Sequence, residues 1–276
     1  MHGSTEFSRL IPRLRRYARA ITGNQDTGDD LVIATLEALT RINSDQLGRG
    51  DVIRIFRLLS QIWNSRGEHA DASADTTSTS AGYQRSLSAI AQEPPRQSLS
   101  RQVLFLTTVE GFSIVDAAAI LDLTSATAEL LRAEAEDLDR RRSSADVLII
   151  EDELFVATDL EDIVTSMGHR VVAIEPTYEG AVAAARRTQP ILVLADIALA
   201  EGGSGIRAAH DILRFLPVPI IFITAYPERL LTGLRPEPTF LIQKPFLSEV
   251  VRVTIAQALH FEDHVKEFAE MAELID

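Results

Sequence analysis

Four apolar runs in the second half of the chain each end in a polar side chain. The runs are residues 147–150, 191–195, 219–223 and 240–242, and the polar residues that follow them are Glu151 with Asp152, Asp196, Thr224 and Lys244. A run that is apolar on both faces predicts a buried strand of a parallel sheet. Such sheets form their sites at the carboxyl ends of the strands, so we expect these side chains to meet at one edge.

The first half of the chain repeats its apolar residues at helical spacing. The pattern predicts helices over residues 7–22, about 30–41 and about 51–65, and a further group of helices after Pro94. We therefore expect an all-α N-terminal half followed by an α/β half. A length of 276 residues suits two such domains.

Residue types near the helix ends support these boundaries. Gly23 and Gly111 are expected to end helices, and Ser113 is expected to cap the helix that follows it. Asp29 and Asp30 would favour the N-terminus of the second helix, because acidic side chains are stabilised there by the helix dipole.

The first predicted helix carries a group of arginines outside its apolar face, namely Arg13, Arg15, Arg16 and Arg19. We expect this group to form a solvated face, with contact to a partner or to the other domain as the alternative. Tyr17 and Trp63 occur at core spacing, so we expect them to be buried.

The composition excludes several classes of function. The chain has no cysteine, which excludes disulfides and thiolate metal sites and suits a cytoplasmic protein. No apolar run is long enough to cross a membrane, so we expect no membrane association. The first 142 residues hold 17 arginines and 19 acidic residues, whereas residues 143–276 hold 10 basic and 21 acidic residues. The acidic second half would repel nucleic-acid phosphates.

The side chains at the strand ends suit phosphoryl chemistry. Glu151, Asp152 and Asp196 offer oxygen ligands for one hard cation, for which we expect Mg²⁺. Asp196 could then attack a phosphoryl group, while the Thr224 hydroxyl and the Lys244 ammonium contact the phosphoryl oxygens. The chain contains two lysines in total, so a lysine at this strand end is informative.

Residues 146–262 resemble the receiver domain of response regulators. The acid pair, Asp196, Thr224 and Lys244-Pro245 carry the resemblance. It implies a doubly wound, flavodoxin-like domain with a five-stranded parallel sheet, and it implies Asp196 as phosphoacceptor, a histidine kinase as phosphodonor and the Ala198 backbone carbonyl as a further metal ligand. A haloacid-dehalogenase type of phosphatase would need a second aspartate at position 198, so we expect a switch that is not an enzyme.

This sequence departs from the receiver pattern in two places. The aromatic residue that moves during receiver signalling lies three residues before the lysine, and here that position is Leu241. Phe240 and Tyr226 are candidate replacements. The loop after Asp196 lacks the usual proline and is one residue longer than in the family.

The N-terminal half resembles an extracytoplasmic-function sigma factor. The segments Tyr17-Ala-Arg-Ala-Ile-Thr-Gly and Asp29-Asp-Leu-Val resemble region 2, and Val109-Glu-Gly-Phe-Ser resembles the helix-turn-helix of region 4. A recognition helix needs basic side chains to reach DNA. Between residues 124 and 138, however, Arg132 stands against four acids, namely Glu129, Glu134, Glu136 and Asp137. We therefore expect no DNA binding.

A sigma-like domain followed by a receiver resembles the PhyR-type general stress response regulators of alphaproteobacteria. The resemblance implies an anti-anti-sigma factor whose phosphorylation opens an intramolecular contact between the two domains, so that the sigma-like domain binds an anti-sigma factor of the NepR type and frees the stress sigma factor. A phospho-regulated sigma factor or other DNA-binding regulator is the alternative.

These readings divide the chain into five parts. We expect a region 2-like domain over residues 1–65, a linker over 66–93 with a short helix at 83–91, and a region 4-like helix-turn-helix over 94–142. The receiver spans residues 146–262, and the last helix continues as an extension over 263–276.

Overall fold

The chain divides into two compact units. A computed structural model describes residues 2–40, 49–69, 95–140, 143–199, 204–225 and 239–273. The first unit comprises residues 1–137 with residues 263–276, and the second comprises residues 138–262.

The described part of the N-terminal unit is all-α, as its sequence periodicity predicts. Its helices are α1 (His2–Thr22), α2 (Gln25–Thr40), α3 (Arg49–His69), α4 (Pro95–Thr108), α5 (Ile114–Leu121) and α6 (Ser125–Arg140). Apolar side chains on the inner faces of these helices form its core.

Tyr17 lies at the centre of this core and is fully buried. Its ring centroid is 5.4 Å from that of Phe56 and 6.2 Å from that of Phe105. Its hydroxyl donates to Gln102 Oε1 at 3.2 Å and lies 3.1 Å from Ser60 Oγ, so its polar end is satisfied inside the core. The prediction that Tyr17 is a core residue is confirmed.

The second helix begins earlier than the sequence pattern predicts. It starts at Gln25, because the Asn24 side chain accepts a hydrogen bond from the Thr27 backbone N–H at 3.1 Å. Asp29 therefore lies inside the helix and does not act in its first turn, which corrects the expectation from the helix dipole. Gly23 does end α1, with a φ of 63°.

The helix-turn-helix of the N-terminal unit forms as predicted. Gly111 adopts a φ of 72° after α4, and the Ser113 side chain accepts from the Asp116 backbone N–H at 3.1 Å to cap α5. Asp122 ends α5 in the left-handed conformation, with a φ of 59°. The next helix, α6, then begins at Ser125.

Part of the predicted linker is helical. Because α3 runs to His69, the first four residues of the expected linker continue that helix. Residues 70–94, which include the predicted short helix at 83–91, lie outside the described residues. Residues 226–238, and with them Tyr226, also lie outside the described residues.

The second unit is a doubly wound α/β domain, as predicted. Its elements are β1 (Asp146–Ile150), α7 (Leu154–Ser166), β2 (Arg170–Glu175), α8 (Tyr178–Thr188), β3 (Leu192–Ala195), α9 (Gly205–Leu213), β4 (Ile220–Thr224), β5 (Phe240–Gln243) and the part of α10 (Ser248–Glu273) up to residue 262. The five strands are parallel in the order β2-β1-β3-β4-β5. The strand order reverses between β1 and β3, where such sheets bind ligands.

The side chains of β5 alternate between the two faces of the sheet. Phe240 is buried, and its ring centroid lies 6.5 Å from that of Phe261 in α10. Leu241 packs instead against the apolar cluster that β1 and β3 form with α8 and α9. Phe240 is thus a core residue on the opposite face from Leu241, which argues against it as the replacement for the switch aromatic.

Within the part of the chain that the structure describes, none of the helices combines the length and apolar character that a membrane span requires.

Candidate functional site

Three carboxylates meet where the strand order reverses. Ile150 of β1 pairs with Ala195 of β3, so the residues that follow these two strands lie side by side. Glu151, Asp152 and Asp196 each place a carboxylate oxygen within 4.8 Å of the other two. Glu151 and Asp196 are buried, at 2% and 7% exposure. The predicted convergence of these side chains is present in the structure.

Lys244 neutralises part of this acidic cluster. It follows β5, and its Nζ donates to Asp196 Oδ2 at 2.7 Å and to Glu151 Oε2 at 2.9 Å. Glu153 Oε1 also accepts from Nζ, at 3.3 Å. Glu153 and Lys244 are 91 residues apart in sequence, so their contact appears only in the structure.

Thr224 reaches the same edge as the last residue of β4. The strand lies between β3 and β5, and Thr224 is 1% exposed. Its backbone oxygen accepts from the Lys244 backbone N–H at 2.8 Å, which ties the turn after β5 to the end of β4. Thr224 and Lys244 therefore lie on adjacent strands at the edge that carries the carboxylates.

The backbone after Asp196 folds back toward the Asp196 side chain. Asp196 Oδ1 accepts a hydrogen bond from the Ala198 backbone N–H at 3.2 Å. Ala198 in turn pairs with Ser204 in an antiparallel bridge. These contacts keep the start of the loop, including Ala198, next to the acidic cluster.

Gly205 is a site residue that sequence reasoning missed. Its backbone N–H donates to the Ile197 oxygen at 3.0 Å, and a Cβ atom at this position would lie 1.7 Å from the Asp196 backbone oxygen. Only glycine fits this approach of α9 to the chain beside Asp196. A glycine directly after the helix-capping Ser204 was the available sequence signal.

Burial and neighbouring charges shift the pKa values of Glu151 and Lys244 in opposite directions. Burial raises the pKa of Glu151, although the hydrogen bond from Lys244 stabilises its charged form. Burial disfavours the charge on Lys244, but the hydrogen bonds to Asp196 and Glu151 outweigh it and raise the pKa of this lysine. Lys244 is therefore a cation at neutral pH, held among carboxylates in a largely buried place.

The donor set fits a hard divalent cation. Mg²⁺ prefers carboxylate and carbonyl oxygens, and the three carboxylates offer one oxygen each within a small volume. Two of them are buried, and among the residues that the structure describes they share Lys244 as their cation, so negative charge remains for an ion to balance.

The arginines of α1 form ion pairs with carboxylates of the N-terminal unit. Arg13 Nε and Arg16 Nε donate to the buried Glu110 at 3.1 and 2.8 Å, across 97 and 94 residues of sequence. Arg15 and Arg19 both bind the Asp29 carboxylate, with shortest distances of 2.8 and 2.7 Å. The expectation of a solvated arginine face is wrong, because each guanidinium has a carboxylate of its own unit as partner.

Helix α6 presents mostly acidic side chains in the position of a recognition helix. Its Glu129 side chain is exposed. Arg132, the basic residue of the segment 124–138, pairs with Glu136 at 3.0 Å, one turn further along the helix. The helix thus offers little positive charge to a nucleic acid.

The fold and the site define a response regulator in which a receiver domain follows a helical, sigma-like domain. Two family models match the helical part: the Sigma2 domain of PhyR over residues 7–59 and the sigma-like domain of the response regulator PhyR over residues 96–140. The phyllosphere-induced regulator PhyR of Methylorubrum extorquens AM1 is 42% identical over 259 residues, which cover 93% of this chain and 94% of the relative. The chain belongs to the PhyR family.

Solved structures of this family have the same fold. The response regulator PhyR from Brucella abortus is 38% identical, with a TM-score of 0.79 over 98% of each chain. The anti-anti-sigma factor PhyR from Bartonella quintana is also 38% identical, with a TM-score of 0.78 over 95% of this chain and 97% of that one. A co-crystal structure of PhyR from Bartonella quintana with the anti-sigma factor NepR also matches. Its PhyR chain is 39% identical to this one, and the match covers 94% of this chain and 98% of that chain with a TM-score of 0.36.

Proposed function

We propose that this chain is a phosphorylation-activated anti-anti-sigma factor. Asp196 accepts a phosphoryl group from a histidine kinase, and the sigma-like unit then binds an anti-sigma factor of the NepR type. The observation that carries the proposal is the contact of Lys244 with both Asp196 and Glu151 at the switch point of the sheet, in a chain of the PhyR family.

The phosphoryl transfer uses residues at the strand ends. An Asp196 carboxylate oxygen bonds to the phosphorus of a phosphohistidine as the phosphorus–nitrogen bond breaks, and the released imidazole takes up a proton. Lys244 and Thr224 contact the phosphoryl oxygens and stabilise their charge. The ammonium of Lys244 already lies 2.7 Å from Asp196 Oδ2.

Mg²⁺ is the cation that we propose for the acidic cluster. Glu151, Asp152, Asp196 and the Ala198 backbone carbonyl would hold it. When bound, the ion supplies positive charge that screens the carboxylates from the incoming phosphoryl group. The protein is a switch: one phosphoryl group is taken up in each activation, and the chain has no second aspartate at position 198 for turnover.

The sigma-like unit provides the partner surface in this proposal. The Bartonella quintana relative is an anti-anti-sigma factor that forms a complex with NepR, and a matching role here requires the shape of a sigma factor without its affinity for DNA. The acidic character of α6 supports that combination. We propose that phosphorylation changes the interaction between the receiver and the sigma-like unit, and that this change controls access to the partner surface.

Calorimetric titration of a NepR-type protein into the full chain tests the proposal. We expect tight binding with Mg²⁺ and beryllofluoride, which mimics the phosphoryl group, and weak binding without them. The Asp196→Ala variant should bind weakly under both conditions. Equal affinity of wild-type protein with and without beryllofluoride would exclude phosphorylation as the trigger.

The alternative function, a phospho-regulated DNA-binding sigma factor, has a separate test. It predicts promoter binding that weakens steeply with salt concentration. We expect no shift of promoter DNA at low ionic strength with the beryllofluoride-treated protein. A specific shift under these conditions would favour the DNA-binding function over the anti-anti-sigma function.

A further inference from the structure

Glu153 directs its side chain away from the helix that it begins. It is the residue before α7, with φ −81° and ψ 104°, and its carboxylate accepts no hydrogen bond from that helix. The carboxylate binds the ammonium of Lys244 at 3.3 Å instead. The Glu153 backbone N–H donates to Glu151 Oε1 at 3.2 Å, which fixes the residue at the acidic cluster.

The three donors of the Lys244 ammonium have three carboxylate partners. Asp196 and Glu151 are the buried partners, and Glu153, with a side chain 65% exposed, is the outer one. Glu153 is not a member of the carboxylate group that could hold a cation. Glu153 can therefore keep its contact with Lys244 while Asp196 and Glu151 bind other ligands.

This arrangement gives Glu153 two effects, and both oppose the phosphorylation of Asp196. Its carboxylate competes with a phosphoryl oxygen for Lys244, and its negative charge lies at the solvent side of the site, where an anionic phosphodonor must approach. We propose that Glu153 is a positioning residue that restrains Lys244 and slows the phosphorylation of Asp196, a role that rests on the proposed function of this site. Glu153 thereby limits activation of the protein by anionic metabolites that carry a reactive phosphoryl group.

Phosphorylation kinetics with two small donors test the role. The Glu153→Gln variant keeps the size of the side chain and removes its charge, and the full chain is phosphorylated with acetyl phosphate, a dianion, or with phosphoramidate, which carries less negative charge. We expect the rate with acetyl phosphate to rise roughly threefold or more, with a smaller rise for phosphoramidate. The difference between variant and wild type should shrink as salt screens the charges.

Asp162→Asn is the matched control for these rates. Asp162 is exposed on the same helix, and its removal changes the net charge equally at a distance of about 13 Å along the helix axis. We expect this control to behave as wild type. Rates for Glu153→Gln that equal or fall below those of wild type, or that rise equally for both donors, would overturn the proposal.

A second measurement reports on Lys244 without phosphorylation or Mg²⁺. The chain has two lysines, so protein labelled with ¹⁵N-lysine has two ammonium signals, and Lys266→Arg assigns them. We expect the Lys244 protons to exchange with water more slowly than those of free lysine, and Glu153→Ala to accelerate their exchange severalfold. Unchanged exchange in Glu153→Ala would show that Glu153 does not restrain the lysine.

The two measurements separate this inference from the proposed function. If wild-type protein takes up no phosphoryl group and behaves as Asp196→Ala, the proposed function of the site fails. If wild-type protein is phosphorylated at Asp196 and Glu153→Gln changes neither rate, the role of Glu153 alone fails.

Discussion

Lys244 Nζ lies 2.7 Å from Asp196 Oδ2, although 48 residues separate the two in sequence. The contact joins the ends of β3 and β5, which are not neighbours in the sheet because β4 lies between them. Lys244 crosses the end of β4 and also reaches Glu151 beyond β3, at 2.9 Å. One side chain thus connects three of the five strand ends at the edge where we propose that phosphoryl transfer occurs.

Replacement of Lys244 by alanine should destabilise the protein and prevent efficient phosphorylation. The buried carboxylates of Glu151 and Asp196 would lose their shared cation, which typically costs about 3 kcal/mol. Urea unfolding measures this loss, and added MgCl₂ should restore part of it because the proposed ion would balance the same charges. Arg214→Ala, which removes an equal charge from a side chain that is 75% exposed, should change the free energy of unfolding by less than about 0.5 kcal/mol. Equal stability of Lys244→Ala and wild type would contradict this account.

The Gly205→Ala variant should disturb the phosphorylation site through the backbone. The new Cβ would lie 1.7 Å from the Asp196 backbone oxygen, so α9 or the chain at Asp196 must move. We expect a loss of roughly 2–3 kcal/mol of stability and at least a tenfold slower phosphorylation. Thermal unfolding and acetyl phosphate labelling measure the two effects.

Ser204→Ala is the control for the glycine substitution. Ser204 Oγ accepts from the Arg207 backbone N–H at 3.3 Å, so its removal should cost about 1 kcal/mol through the lost helix cap. Because no atom is added near Asp196, its phosphorylation rate should stay close to that of wild type. A Gly205→Ala protein that is phosphorylated as fast as Ser204→Ala would show that the backbone contact is unimportant for the site.

The ionisation of Glu151 should reduce the stability of the protein as pH rises. Burial raises the pKa of Glu151, so in the range above its unfolded pKa the folded protein binds more protons than the unfolded chain. The stability that this carboxyl contributes is therefore present at low pH and is lost as pH rises through the folded pKa. At pH 7 we expect Glu151→Gln to be more stable than wild type, by about 1 kcal/mol, with the difference disappearing toward pH 4.

Urea unfolding of both proteins between pH 4 and pH 8, without added metal, checks this dependence. Asp162→Asn is the control, because Asp162 is exposed on α7 and lies outside the acidic cluster. Its stability at pH 7 should differ from that of wild type by less than about 0.5 kcal/mol. A Glu151→Gln protein that is less stable than wild type at pH 7 would mean that the ion pair with Lys244 outweighs the cost of burial.

The stability of the N-terminal unit should be sensitive to the loss of the Glu110 charge. Its side chain is fully buried and pairs with Arg13 and Arg16. Glu110→Gln would leave two guanidinium groups without their carboxylate, and we expect a loss of about 3 kcal/mol in chemical denaturation. Glu136→Gln breaks an exposed pair with Arg132 one helical turn away, and it should cost under about 0.5 kcal/mol. Similar losses in the two variants would contradict a special role of the buried pairs.

The sequence by itself determined the fold class and most of the candidate site. Strands buried on both faces appear as apolar runs, and the carboxyl ends of parallel strands meet at one edge, so the positions of Glu151, Asp152, Asp196, Thr224 and Lys244 could be predicted together. The Ser113 cap and the turn at Gly23 could be predicted because both depend on residues within one or two turns of helix.

The tertiary structure alone decided which charged groups pair. The arginines of α1 were expected to be solvated, but Arg13 and Arg16 bind Glu110 across nearly a hundred residues of sequence. The contact of Glu153 with Lys244 likewise joins elements that are distant in sequence. The close approach of Gly205 to Asp196 depends instead on how α9 packs at the end of β3. Hydrophobic periodicity reports which face of an element is buried, but the partner of a long polar side chain depends on how separate elements pack, and no local pattern contains that information.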